Sequence, residues 1–505
     1  MKKFIYAAAL AGGMLSMSSC VDLDQDPQSF LSYETFPKDA ENVAMVVDAL
    51  YADLWSDNYG FNCRMQRINV CADDVTYREA KPNNELALYE DLYPNVTRND
   101  ADFKTLWSLF MKAIYDSNTI ISDTPVDEND TSKEAVALKN VVGEAYFVRG
   151  LSYFYMVRIF GNVPLELVPE DAKVDMPRTD VAEIYDKAII PSLERAAEWL
   201  PATSRTKNSS TPSKWAAKAA LGDAYMTMAG WPLKRDGYYG KAAEVLLDVI
   251  QNSGLSLTAH YADLWKEANK STNKEFLFAL FHSNANKKAS NYGKSYYPSD
   301  FYPNAGWADY YANEAFYLSY PDDERKAHNF MTSWSVNKGS SSAPNIVTVN
   351  YKESADKLPA ISKYYDYDDG AAGKSAQSNG LTSIYRYADV LLMYAEASTR
   401  ATNSVNQEAL TALQEVQKRA QGYPSNPVLT TTTVPEEFLK EVFDENGWEF
   451  FAEMRRWFDL VRLEMVDDVK PDKWANSLFK ANNHYYMPVP YVQIDLTGWD
   501  NNPGY

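Results

Sequence analysis

The sequence predicts a mainly α protein: helical hairpins form the scaffold, with long loop-rich insertions and a few short strands. Three observations carry this prediction. Apolar residues recur at three- and four-residue spacing through much of 39–269 and 385–465. Breakers such as Pro164, Pro201 and Pro232 divide those stretches into segments of helix length. Between 270 and 384 the helical period fails, and aromatic and turn-forming residues take over.

Residues 1–19 begin with Lys2-Lys3, continue as an apolar run and end in small residues, the pattern of a secretory signal. Met17-Ser18-Ser19-Cys20 is similar to a bacterial lipobox, which makes Cys20 the expected lipid attachment point. Several acyl chains on one cysteine anchor stably, whereas a single chain binds only marginally. Residues 20–38 then read as a lipidated linker. Its acidic run Val-Asp-Leu-Asp-Gln-Asp resembles the export tag of Bacteroidetes surface lipoproteins, which implies an outward-facing protein.

Without the leader, 486 of the 505 residues remain. Residues 39–505 are expected to form one domain: scaffold at 39–269 and 385–465, insertion at 270–384, closing segment at 466–505. No later stretch is long and apolar enough to cross a bilayer. The net charge of −20 argues against nucleic acid, which needs basic surface, and more weakly against polyanionic glycans. Cys63 and Cys71 either pair outside the cytosol or stay as two buried thiols. With 36 Tyr and 12 Trp, aromatic surface exceeds what a core needs.

Residues 39–57 place Val43, Val46, Val47, Leu50 and Leu54 on one helical face, and Ala101–Ser122 does the same with Leu106, Leu109, Phe110, Ala113 and Ile114. Lys139–Phe160 is apolar nearly all round and should be deeply buried. Gly143 and Gly150 lie seven apart there. Each costs about 1 kcal/mol against alanine in a helix interior, so close packing by a neighbour is expected. Thr179–Leu200, Ser213–Gly230, Tyr238–Gln251, Tyr385–Arg400 and Asn406–Gln421 complete the helices. They resemble degenerate tetratricopeptide hairpins, grouped as 133–200, 212–252, 385–421, and 101–122 with 435–464. Such stacks are usually interaction surfaces.

Four blocks carry a resemblance to the RagB/SusD family of Bacteroidetes outer-membrane lipoproteins. The first is Glu144, Ala145, Phe147, Val148, Arg149, Gly150, Tyr153 and Phe154, then Phe160, Gly161, Val163, Pro164 and Leu165. The second is Tyr385–Ala397 (YRYADVLLMYAEA), followed by a helix ending Val416-Gln417-Lys418-Arg419-Ala420. The third is Glu449–Arg462, with Met454 where the family has glycine. The fourth is Tyr486–Pro490 with the terminal Asn502–Tyr505, Gln493 standing where glutamate is usual. Charges in the third block, Arg455 with Asp459 and Asp459 with Arg462, are spaced for ion pairs that bind helices together.

Within the insertion, Glu275–Phe281 reads as a strand, expected to pair with Ile346–Tyr351. Asn291–Tyr311 holds eight aromatics in twenty-one residues, broken by Gly293, Pro298, Pro303 and Gly306. Sugars stack apolar C–H faces on aromatic rings, and their hydroxyls need amide, carboxylate or guanidinium partners. Loops on a rigid scaffold usually carry such sites. Trp307, Tyr302, Tyr297 and Tyr310 are the expected stacking residues. Asp300, Asn304 and Asp309 are expected to take hydroxyls, and Trp334 is a further candidate. A packed cluster pinning the insertion explains the same composition. The resemblance implies a glycan site on variable loops including this insertion, with an early loop as the opposite wall. Arg64, Asp73, Tyr77, Tyr89 and Tyr93 are the candidates there.

Familiar catalytic chemistry is missing. His260, His282, His328 and His484 fit no metal motif, and no nucleophile elbow, phosphate loop or dinucleotide fingerprint occurs. No cofactor is expected. Asp366, Asp368 and Asp369 suggest structural calcium but fail the EF-hand spacing. The resemblance implies a non-enzymatic glycan binder that delivers oligosaccharide to a SusC-like TonB-dependent transporter and touches the membrane only through its anchor. The alternatives are a peptide-binding, RagB-like lid and an α-helical glycoside hydrolase. The sequence identifies neither the glycan nor its source.

Overall fold

The computed structural model describes residues 38–55, 60–78, 86–94, 101–303, 305–365 and 378–505. Cys20, the leader, Asn304 and the aspartates at 366, 368 and 369 lie outside the described residues. The longer helices are α1 (Ala40–Asp53), α2 (Gly60–Asn69), α3 (Ala101–Asp123), α4 (Lys133–Phe160), α5 (Ile190–Trp199), α6 (Lys214–Ala229), α7 (Tyr238–Asn252), α8 (Tyr387–Thr402), α9 (Gln407–Ala420), α10 (Pro435–Glu449) and α11 (Arg456–Leu463). The strands are β1 (Val75–Tyr77), β2 (Phe276–Phe281), β3 (Tyr310–Ala312), β4 (Phe330–Met331), β5 (Ser333–Asn337), β6 (Ile346–Asn350), β7 (Ala360–Ile361) and β8 (Leu381–Arg386), joined as two-stranded antiparallel ladders.

The helix α4 runs through the core, buried on nearly every face from Val141 to Phe160. It starts earlier than the apolar pattern suggests because Ser132 Oγ accepts from Ala135 N at 3.2 Å and caps it. A Cβ on Gly150 would sit 2.9 Å from Leu193 Cγ, so the expected close approach is by α5.

From α3 to α9 the long helices pack in series, α3 on α4, α4 on α5, α5 on α6, α6 on α7, α7 on α8 and α8 on α9. The mainly α class therefore stands, but the expected grouping needs correction. Helix α3 packs on α4, and α10 packs on α8 and α9, so 101–122 and 435–464 are not one unit.

Three element predictions also change. Thr179–Leu200 is not one helix. Pro191 has no N–H to donate, and the chain widens into a π turn at Tyr185–Ile189 before α5. The stretch 435–464 breaks between α10 and α11, where Ala452 and Met454 take φ of 57° and 62°. Strand β2 pairs with β8, not with β6. Its residues are buried on both faces and need a partner equally buried, which β8 is. Strand β6 alternates exposed and half-buried residues and closes a surface hairpin with β5.

The predicted ion pairs are only partly those formed. Arg462 Nη2 meets Asp459 Oδ1 at 2.8 Å, and the same guanidinium holds Glu396 at 2.6 Å. Arg455 pairs with Asp389 on α8 rather than with Asp459. Burial alone would raise the Glu396 carboxyl, but Arg462 and Arg400 beside it hold it at about 2.

A larger buried network ties the insertion to the scaffold. Arg386 reaches Glu275 at 2.9 Å, Glu449 at 2.5 Å and Glu453 at 2.9 Å, all essentially without solvent exposure. Arg419 adds Glu275 at 3.0 Å and also Glu449. Arg325 adds Glu445 at 2.6 Å and Glu449 at 3.0 Å, and Lys363 adds Glu453 at 2.7 Å. Burial opposes ionisation throughout. It pushes Lys363 down to about 8 and raises Glu445, while Arg419, Arg386 and Arg325 together hold Glu449 at about 2.

His282 is buried between β2 and β8, with Nε2 2.8 Å from Thr382 Oγ1, and burial pushes it down to about 3. The unfolded chain, titrating near 6.5, therefore binds the extra proton between those values. This contribution to stability is complete above 6.5 and is lost as pH falls, by up to about 1.4 kcal/mol per unit. The stability advantage of wild type over His282→Gln is expected to hold from pH 7.5 to about 6.5 and to shrink steadily below that towards pH 4.5, measured by urea unfolding. A constant gap would show that His282 titrates normally in the fold.

Candidate functional site

Two segments far apart in sequence are brought together by one short ladder. Strand β1 follows α2, β3 closes the aromatic stretch, and their antiparallel register sets Val75 opposite Ala312 and Tyr77 opposite Tyr310. The aromatic stretch folds back on itself. Gly306 N donates to Pro298 O at 2.9 Å, Trp307 N to Lys294 O at 2.8 Å, Ala308 N to Tyr297 O at 3.0 Å, and Asp309 N to Ser295 O at 2.9 Å. These bonds satisfy backbone groups that a loop would otherwise leave to water, and they fix where Trp307 and Asp309 stand.

A cavity of about 240 Å³ opens between these segments. Cys63, Arg64 and Arg67 of α2, Leu86 and the first turn of α3 at Asp102 line one side; Ser295, Trp307, Asp309 and Tyr310 line the other. Arg64 and Arg67 are three apart on α2 and share one carboxylate. Arg64 Nη1 donates to Asp102 Oδ1 at 2.6 Å and Arg67 Nε to Asp102 Oδ2 at 2.8 Å. Trp307 and Asp309 are half-buried. Tyr310 is buried, with its hydroxyl 3.5 Å from Cys63 O, and burial pushes its phenol well up. The arrangement offers a partly exposed indole beside fixed cations and carboxylates. It supplies polar hydrogen bonding in a shaped recess.

Arg64, Trp307, Asp309 and Tyr310 line the same cavity, but Tyr310 is buried with its ring packed on Tyr296 at 5.7 Å, so it presents no stacking face of the kind expected of it. The other predicted residues are placed differently. Tyr297 and Trp334 belong to a satellite core with Phe301, Tyr311, Val336 and Tyr351. Tyr297 meets the edge of Tyr365 at 4.8 Å, and Trp334 Nε1 donates to Asp300 Oδ1 at 2.8 Å. Their rings are used in packing and present no stacking face in this conformation. Tyr89 is fully buried against Phe103, and Asp73 is held by Arg456 at 2.8 and 3.1 Å, so both are structural here. Tyr77 is half-buried in β1. Tyr302, Tyr93 and Asp300 stay exposed, outside the cavity lining. Arg67 and Asp102 were missed. The i, i+3 repeat of arginine on α2 was a legible signal for the first, whereas Asp102 joins only through tertiary packing.

Cys63 and Cys71 are both buried and are not joined to each other, which settles that alternative. Among the described residues no group of three His, Cys, Asp or Glu is placed to hold a metal, and no helix is long and apolar enough to cross a membrane.

Among solved structures, the fold matches a SusD homolog from Bacteroides thetaiotaomicron with a TM-score of 0.79 at 20% identity, covering 94% of this chain and 98% of that one. It also matches a laminarin-binding SusD-like protein with a TM-score of 0.71 at 22% identity, covering 92% and 99%. At these identities the likeness is one of fold. By sequence, the chain is 26% identical over 524 aligned residues to SusD-like protein P2 of Formosa agariphila, covering 97% of this chain and 98% of the relative. Residues 23–226 match the family model described as "Starch-binding associating with outer membrane", and residues 274–505 match the one described as "SusD family". The chain belongs to the SusD family, a family associated with the outer membrane.

Proposed function

We propose that this protein binds oligosaccharide at the cell surface, held by a lipid on Cys20, and passes it to a SusC-like TonB-dependent transporter. The observation that carries the reading is the cavity itself. Trp307 can stack on a sugar face while Arg64, Arg67, Asp102 and Asp309 meet hydroxyls from the same recess. Its volume is below the about 300–1,000 Å³ usual for small-molecule sites, which suits a short stretch of sugar. The family assignment and the laminarin-binding structural neighbour support a glycan ligand. The binding reading is also favoured over hydrolysis because both oxygens of Asp102 are occupied by guanidiniums, so it is poorly placed to protonate a glycosidic oxygen.

Affinity electrophoresis of the mature chain against a polysaccharide panel tests this. At least one glycan should retard wild type, and Trp307→Ala should weaken that binding about thirtyfold, the effect of losing a hot-spot aromatic. Retardation unchanged in the variant would move the site towards Tyr302 or Tyr93. Silence across the panel beside copurified peptide would favour the peptide-binding lid. For the partner, capture of the lipidated chain from outer membranes is expected to bring a TonB-dependent barrel with it.

A further inference from the structure

We infer that Ser295 sets the specificity of the recess: its hydroxyl meets one hydroxyl of the entering sugar and so requires one at that ring position. This rests on the cavity being the glycan site. Ser295 lines the cavity yet is only 3% exposed, so it is a deep polar group of the wall. Its backbone is fully used within the fold. The N–H donates to Asn291 O at 3.1 Å, on the short helix Tyr292–Tyr296, and the carbonyl accepts from Asp309 N at 2.9 Å. What remains for the cavity is the hydroxyl, which has no hydrogen-bond partner among the described residues.

A buried hydroxyl left without a partner is costly, so this one must find its bond in whatever fills the cavity. A serine hydroxyl donates once, accepts twice and rotates, so it pairs with a sugar hydroxyl in either direction. A deoxy position would leave it unpaired, and a site that holds a buried polar group discriminates against such a ligand. Position narrows the choice further. The bonds from Ala308 N to Tyr297 O and from Asp309 N to Ser295 O tie Ser295 to the segment that carries Trp307, and hold hydroxyl and indole at a fixed separation. A ring lying on the indole can then offer Ser295 only the hydroxyls of its inward edge. The fold itself makes no use of this hydroxyl within the described residues, so alanine would serve the structure equally well.

The test uses the mature chain and a panel of soluble polysaccharides (laminarin, xylan, galactomannan, polygalacturonate), with Kd measured by titration calorimetry for each that retards wild type. Wild type is compared with Ser295→Ala, Ser295→Cys and Trp307→Ala, and urea unfolding is followed for all four. Ser295→Ala is expected to weaken binding about tenfold, the loss of one hydrogen bond to a group then left unpaired, with its urea midpoint at the wild-type value. Ser295→Cys keeps nearly the same shape but bonds weakly, so it should lose nearly as much. Unchanged affinity in both Ser295 variants, beside weakened binding by Trp307→Ala, would overturn the assignment and leave the site standing. A lowered urea midpoint accompanying the affinity loss would show a structural role for Ser295 and overturn the assignment as well. Binding indifferent to all three variants, or absent across the panel, would overturn the site and the inference with it.

Discussion

Replacing Arg386 by methionine is expected to lower folding stability by about 3–5 kcal/mol, the cost of removing one partner from a buried ionic network. Arg386 is fully buried and is shared by Glu275 before β2, Glu449 at the end of α10, and Glu453. Methionine fills comparable space but leaves those carboxylates with less compensation in a medium that penalises bare charge. Arg419 still reaches Glu275 and Glu449, and Lys363 still reaches Glu453, so the loss falls short of total uncoupling. The damage should concentrate where the insertion meets the scaffold. A surface pair is the control. Lys473 and Asp91 are about half exposed, and Lys473→Met should cost about 0–1 kcal/mol. Urea unfolding of the two variants beside wild type measures both. Equal, small effects would mean the network contributes little to the fold.

Gly306→Ala is expected to abolish ligand binding while leaving the helical scaffold folded. An added Cβ would lie 2.0 Å from Tyr297 O and 2.5 Å from its carbonyl carbon, both backbone atoms that cannot swing away. Relief requires opening the hairpin-like bonds at Gly306, Trp307 and Ala308, at a cost of about 1–3 kcal/mol of local strain. Trp307 would then leave the position that lines the cavity. Gly293→Ala offers the contrast, because its Cβ would meet only the hydroxyl end of Tyr297 at 2.9 Å, and a side chain can yield. Binding isotherms with a retained ligand, together with far-ultraviolet circular dichroism, should show loss for Gly306→Ala, near-normal affinity for Gly293→Ala, and helical content intact in both. Normal binding by Gly306→Ala would mean that the loop geometry does not position the site.

The helices were legible because an apolar stripe at helical period has few other uses, and α4, apolar all round, could only be buried. What failed was tertiary. The pairing of β2 depended on how deeply β8 and β6 would each be buried, which alternation in β6 already hinted at. The wide turn before α5 was written in Pro191. Met454 repeats the point: the family pattern has glycine there, and the residue adopts a φ of 62°, in the left-handed region that favours glycine. In the site, aromatic density located the right loop without telling a presented ring from a packed one. Trp307 lines the recess, whereas Tyr297 and Trp334, of the same composition and a few residues away in space, close a satellite core. Asp102 lies 38 residues beyond Arg64, and only the packing of α3 brings them together.

The most direct measurement of the central claim is a crystal structure of the mature chain with a short oligosaccharide of whichever glycan retards it. The cavity reading predicts a sugar ring lying against the Trp307 indole, with hydroxyls within hydrogen-bond distance of Arg64 or Arg67 and of Asp309. A well-ordered sugar elsewhere, with the cavity between α2 and Trp307 holding only solvent, would contradict it.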